Sequence, residues 1–317
     1  MGWSAAIAVA VCLSSSAATL RQISDSAQRF FSRGRYAEAQ QILEAALDQA
    51  EHTDRRELAA ILNNLGVAYW NLGRLRDAQR TYERALEIRA TLGETATRDV
   101  ARTLSNLGLV YTDLNYLKKA EESLARSASL NESLGGTADP GAASAWLNLG
   151  GVYKAEGRFA EAEAIYRKAL AMYEAADSRA GIALAANNLA SLMPASGRLA
   201  EAETLLRRAI DLWEIDLGPR HPLLASALNN LGVIYTTTNR FDEAKECFER
   251  AIRIGAAVLP PDHPNLASYR IGYASLLRKL DRKKEARQLE QQARLALDRH
   301  ARNNFLGHTV DVRQFVK

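Results

Sequence analysis

The stretch from Ala227 to Ile252, ALNNLGVIYTTTNRFDEAKECFERAI, carries two amphipathic periods separated by one break. Leu228, Leu231, Gly232 and Tyr235 fall at i, i+3, i+4 and i+7, which is one apolar face of a helix. Ala244, Phe248, Ala251 and Ile252 make the matching face of a second helix, and Asn239 interrupts the pattern between them. The spacing predicts a helical hairpin. Its smallest residues, Gly232 and Ala244, are expected where the antiparallel helices cross closely, with Tyr235 and Phe248 filling the space beside the contact.

The same unit recurs along the chain. Gly66, Gly108, Gly150, Ala190, Gly232 and Ala274 hold equivalent places, most of them 42 residues apart. The first copy is divergent, with Ala27 and Phe30 in the Gly/Tyr places, Gly34-Arg35-Tyr36 at the turn, and Ala39, Leu43 and Ala46 on the second helix. The second has Leu65, Gly66 and Tyr69, then Gly73-Arg74-Leu75, Ala78, Tyr82 and Ala85. The third substitutes Asn115-Tyr116-Leu117 at the turn and Ser127 for the last alanine, and the fourth keeps Gly150, Tyr153, Ala162, Tyr166 and Ala169. In the fifth, Ala190 and Met193 replace the Gly/Tyr pair and Pro194 follows. A proline there removes a helix hydrogen bond at a cost of about 3 kcal/mol, so a kink or an early end is expected. The seventh decays through Ala274, Leu277, Ala286 and Glu290, as a solvated end repeat should.

These residues resemble the tetratricopeptide repeat, whose L-G-x-x-Y and A-x-x-x-F signature reads here Leu231-Gly232, Tyr235, Ala244 and Phe248. The longer period is similar to that of kinesin light chains and many bacterial tetratricopeptide proteins, in which a G-P-x-H-P loop precedes each first helix. Gly218-Pro219-Arg220-His221-Pro222 matches that loop fully, and Pro260-Pro261-Asp262-His263-Pro264 matches it with Pro for Gly. The resemblance implies an all-α right-handed α-solenoid of about seven helix-turn-helix repeats over residues 19–300. It also implies a protein-interaction scaffold with no catalytic role, whose first helices line a concave surface.

Flanking segments and composition fit that reading. Residues 1–18 combine an apolar run from Ala5 to Leu13 with Ser16-Ala17-Ala18, the small residues a signal peptidase reads, so export to the periplasm or medium is expected if this is a signal segment; the alternatives are an uncleaved capping helix on a cytoplasmic protein and a lipid-modified Cys12. The run would be about 13 Å long as a helix, short of the roughly 30 Å bilayer core, and no transmembrane segment is expected. Residues 301–317 read as a C-terminal tail in which Val310 and Val312 alternate with polar residues. The 41 basic and 37 acidic side chains are interleaved, which argues against a nucleic-acid footprint. The cysteines, Cys12 and Cys247, form no disulfide framework.

No catalytic or phosphate-cradling motif is present, no cofactor or metal is expected, and neither is a small-molecule substrate. His221 and His263 sit at helix entries. Glu161 and Asp242-Glu243 open second helices, where acids favour the positive dipole end. Turn basic residues recur as Arg35, Arg74, Arg158, Arg198, Arg240 and Arg282, and are expected to interact with the carbonyl end of the first helix. Asn64, Asn106, Asn148, Asn188 and Asn230 all lie two residues before the Gly/Ala position, although Asn is a poor mid-helix residue. They are expected either to pair with the backbone of a bound polypeptide or to bond between repeats. Asn63, Asn187, Asn229, Trp70, Thr112, Asp113, Lys154, Thr236, Arg278 and Lys279 should share that surface. Val67, Leu109 and Val233 occupy the Asn place of the clamp by which chaperone-binding relatives hold a C-terminal carboxylate, which disfavours that partner class. The expectation is therefore a protein or peptide partner, bound as an extended or helical segment. The alternatives are an architectural subunit packing through its end repeats, signalled by exposed apolar side chains there, or a regulatory module acting on an enzyme or a nucleic-acid-bound partner.

Overall fold

The computed structural model describes residues 17–52 and 54–306, and these form fourteen α-helices and no strand. Four hairpins build the unit that ends at Ala176. They are α1 (Ala17–Phe31) with α2 (Tyr36–Glu51), α3 (Arg55–Asn71) with α4 (Leu75–Thr91), α5 (Arg98–Asp113) with α6 (Leu117–Gly135), and α7 (Pro140–Ala155) with α8 (Phe159–Ala175). Three build the unit that starts at Asp177: α9 (Arg179–Ala190) with α10 (Leu199–Leu217), α11 (Pro222–Thr237) with α12 (Phe241–Val258), and α13 (Pro264–Lys279) with α14 (Lys283–Leu306). The expected signal segment lies outside the described residues up to position 16, and α1 opens at Ala17. The expected tail begins later than the periodicity indicated, because α14 continues past His300 to Leu306; residues 307–317 are outside the description.

Five of the seven hairpins, all but the first and the fifth, close directly at the end of the first helix by the same backbone device. The residue after the first helix's cap takes a positive φ, which glycine accepts without strain: Gly73 at 74° and Gly157 at 76°. Asn115, Asn239 and Asp281 do the same at 60°, 61° and 57°. The following N–H then reaches back to the carbonyl five residues earlier, as in Arg74 to Tyr69 at 2.8 Å and Arg240 to Tyr235 at 2.8 Å. This is a Schellman closure, and it satisfies carbonyls that a helix end leaves open.

Side-chain caps open most first helices. Asp54, Thr97 and Asp139 accept from Arg56, Val100 and Ala142 N–H, and the Nδ1 atoms of His221 and His263 accept from Leu223 and Asn265 N–H. Both histidines thus serve helix entry. In the fifth hairpin α9 stops at Ala190 after 12 residues, and a 3-10 turn over Met193–Ser196 carries Pro194.

Glycine sets the hairpin packing, with one difference from expectation. The ring of the second helix lies directly on the glycine of the first, rather than beside it. A methyl group on Gly66 would meet the Tyr82 ring at 2.6 Å, on Gly150 the Tyr166 ring at 2.5 Å, and on Gly232 the Phe248 ring at 2.9 Å. Tyr82, Leu124 and Phe248 are fully buried by this contact. In the first unit one continuous core runs from Leu20 to Val152, filled by the Ala, Leu and Tyr positions of the repeat.

Candidate functional site

The first helices of hairpins one to three expose a cleft of about 470 Å³. Asn63, Asn64, Asn106 and Arg102 give it amide and guanidinium groups, and Phe31, Tyr36 and Val67 give it apolar wall. Arg102 precedes Asn106 by four residues, one helical turn on the same face; that spacing could have flagged it, but its surface role was missed. Phe31 and Tyr36 frame the first turn and stack at 5.8 Å.

The asparagines are partly committed to neighbouring repeats. Gln28 Nε2 donates to Asn64 Oδ1 at 3.1 Å, and Thr103 Oγ1 donates to buried Asn63 Oδ1 at 3.0 Å. In the second unit Asn230 Nδ2 donates to Asn187 Oδ1 at 3.2 Å, while Asn187 Nδ2 donates to Asn188 Oδ1 at 3.4 Å. Oδ1 of Asn229 is buried without a partner, beside Gly272, where a methyl group would meet it at 2.7 Å. Asn106 lies against the buried Tyr82 phenol, whose pKa is pushed up by burial and pulled the other way by that amide. Asn148 is half-buried and its side chain makes no hydrogen bond among the described residues.

The remaining residues of the expected surface divide similarly. Trp70 Nε1 donates to Asp113 Oδ2 at 2.6 Å, bridging the second and third hairpins. Thr112 and Thr236 bond the carbonyls of Gly108 and Gly232 in their own helices. Lys154 is solvent-accessible, yet the surrounding protein desolvates its ammonium enough to lower its pKa. Lys279 donates to the Thr236 carbonyl at 3.0 Å. Arg278 is held by both oxygens of Glu290 at 2.7 Å, so its charge is already met within its hairpin.

The turn arginines behave differently from expectation. Their backbone, not their side chain, serves the carbonyl end of the first helix. The guanidinium lies over the aromatic ring of that helix instead, 4.3 Å from Tyr69 for Arg74, 4.0 Å from Tyr153 for Arg158 and 4.1 Å from Tyr235 for Arg240. Each also pairs with an acid three residues on, such as Arg158 with Glu161 at 2.8 Å and Arg240 with Glu243 at 2.6 Å. Glu161 and Glu243, read as dipole charges, are therefore also partners of the turn.

Among the described residues no group of His, Cys, Asp or Glu could hold a metal ion, and no helix is long and apolar enough to cross a membrane. The model of the tetratricopeptide repeat matches residues 15–91, 99–175, 181–257 and 240–294. The chain belongs to the tetratricopeptide repeat family. No curated protein matches it. Among solved structures it is similar to BtubC (BKLC) from P. vanneervenii, at 26% identity over 63% of this chain and 82% of that one, TM-score 0.58. It is also similar to the apo form of RapI, at 13% identity over 91% and 99%, TM-score 0.72. A third is a Rap protein complexed with Competence and Sporulation Factor, at 18% identity over 87% and 74%, TM-score 0.61. The kinesin-light-chain-like repeat type and the all-α solenoid class expected from the residues are those of this tetratricopeptide protein.

Proposed function

We propose that this tetratricopeptide protein is a non-enzymatic scaffold that binds an extended or helical segment of a protein partner across the first-helix face of its repeats. The observation that carries the reading is the cleft over hairpins one to three, where Asn63, Asn64 and Asn106 stand beside apolar Phe31, Tyr36 and Val67. Amides can meet both polar groups of a peptide backbone, while the apolar wall takes side chains. A photo-crosslinker placed at Val67, compared with one at exposed Arg126 on α6, tests it. Partner peptides should be captured from Val67, and Asn106→Leu should abolish that capture. Equal capture from both positions would remove the cleft from consideration.

A second reading has its own observation. Ile271, Leu280, Leu295 and Leu297 are exposed apolar side chains of the seventh hairpin, the feature expected if the array packs through its end repeat into a larger assembly. Size-exclusion chromatography of Leu295→Lys with Leu297→Lys distinguishes them, since only an end-packed assembly would dissociate. Export, motivated by residues 1–18, is part of the proposal and predicts a native N-terminus near Thr19; intact Met1 in protein recovered from the cytosol would refute it.

A further inference from the structure

Six hairpins carry a turn arginine paired with an acid three residues later: Arg35 with Glu38, Arg74 with Asp77, Arg158 with Glu161, Arg198 with Glu201, Arg240 with Glu243 and Arg282 with Glu285. The third hairpin breaks both halves of the pair. Tyr116 stands for the arginine and Lys119 for the acid, and Lys118 adds a further charge. Its second helix, α6, has no acid in its first turn, whereas the second helix of every other hairpin has one.

The reversal opens onto a cleft of about 540 Å³ between α4 and the α5–α6 turn, lined by Arg76, Lys118, Lys119, Tyr116 and Gln79 and by no acidic residue. Arg76 lies 5.1 Å over the Tyr116 ring, and the Lys119 ammonium 5.8 Å from the same ring. Arg76 also donates to Gln79 Oε1 at 3.3 Å. None of the three cations has an ion-pair partner among the described residues. Nearby acids on α4 are engaged: Asp77 by Arg74 and Arg80, and Glu83 by the Tyr111 hydroxyl and the Gln79 amide. In a chain whose charges are otherwise widely paired, this is a concentrated unmet positive charge, reinforced by the positive end of a 19-residue helix.

We propose that this cleft is a docking site for an acidic segment of a partner polypeptide, whose carboxylates supply in trans the acid that the other six hairpins carry in cis. It shares no lining residue with the first-helix cleft, so the two sites stand or fall separately. Three exposed cations around one half-buried tyrosine suit a short run of carboxylates; a nucleic-acid surface would extend the charge as a stripe.

The test is fluorescence anisotropy of a labelled oligo-glutamate peptide with the full chain at low ionic strength, comparing Lys118→Glu/Lys119→Glu with Lys284→Glu/Arg294→Glu, an equal charge change on exposed residues of the last helix. The first variant should weaken binding about tenfold or more and the second should leave it unchanged, with wild-type binding falling as salt rises. Glutamates at the start of α6 favour its dipole and offset the lost contacts of Lys119 with the Tyr111 and Tyr116 rings, so the fold should be kept, and an unchanged far-UV melt separates lost binding from a lost fold. Equal weakening in both variants, or no binding by the wild type, would overturn the proposal. So would a single-stranded oligonucleotide of equal charge that binds more tightly at the same residues.

Discussion

At Gly150 a methyl group would lie 2.5 Å from the Tyr166 ring, and both residues sit in the buried interface of one hairpin. Gly150→Ala gains about 1 kcal/mol of helix propensity but overpacks the core by roughly 1–3 kcal/mol, so a lower urea midpoint is expected in spite of the better helix former. The asparagines divide by their partners. Asn63→Ala removes a buried bond from Thr103 and should cost about 1 kcal/mol, whereas Asn148→Ala, which removes no protein hydrogen bond, should leave the melt unchanged or raise it by about 0.5 kcal/mol. Thermal melts of the two single variants check this; equal losses would show that Asn148 has a structural bond after all. At Cys247, burial pushes the thiol up to about 11. In a Cys12→Ser background, native protein at mildly alkaline pH should resist alkylation and the urea-unfolded chain should react.

Among the elements, α9 is the shortest of the first helices that follow a complete repeat. Amides over Ser191–Gly197 should exchange well before those over Val233–Thr237, because a 3-10 turn replaces the last helical turn there. Comparable protection at the two sites would mean the break costs nothing. Pro194 made that break legible in the sequence, as the H-P pairs made the entries of α11 and α13 legible, because each feature acts on its own helix. The turn arginines were harder. Their recurrence was visible, but whether the backbone or the guanidinium caps a helix depends on the positive φ one residue earlier, and the ring beneath Arg35, Arg74, Arg158 and Arg240 comes from the helix before. The Asn63–Thr103 and Gln28–Asn64 bonds were not legible at all, since each partner lies in another repeat and only the packing of hairpins brings it near. Arg102 differs, since its spacing from Asn106 was legible on one helix and only the cleft around it needs the packing of hairpins.

Across the whole molecule, acid should be the condition that loosens the fold. Burial acts to raise the Asp139 carboxyl, but Arg98 at 2.6 Å and the Ala142 and Gly141 amides outweigh it and hold its pKa below the ordinary 3.8. Glu203 is likewise held below 4.5, burial being outweighed by Arg240 and Arg207. Folded values lower than unfolded ones mean that this stability is complete above those ordinary values and is lost as pH falls through the folded ones. Melting midpoints should therefore be flat near neutrality and drop below about pH 4, with Arg98→Ala lowering the neutral midpoint and shrinking the acid-induced drop; a drop of unchanged size would acquit Asp139. The glycine-to-ring contact has a different kind of consequence, one of descent. The two contacting positions stand 16 residues apart in every hairpin, as Gly66 and Tyr82, Gly108 and Leu124, Gly150 and Tyr166, Gly232 and Phe248. Where alanine replaces the glycine, the partner is smaller than a ring: Leu206 opposite Ala190, Glu290 opposite Ala274. Leu124 opposite Gly108 shows that the ring can go while the glycine stays, whereas alanine is never found opposite a ring, so in a lineage of such repeats the ring must shrink before the glycine is lost, and Gly66→Ala should be better tolerated in a Tyr82→Leu background than alone.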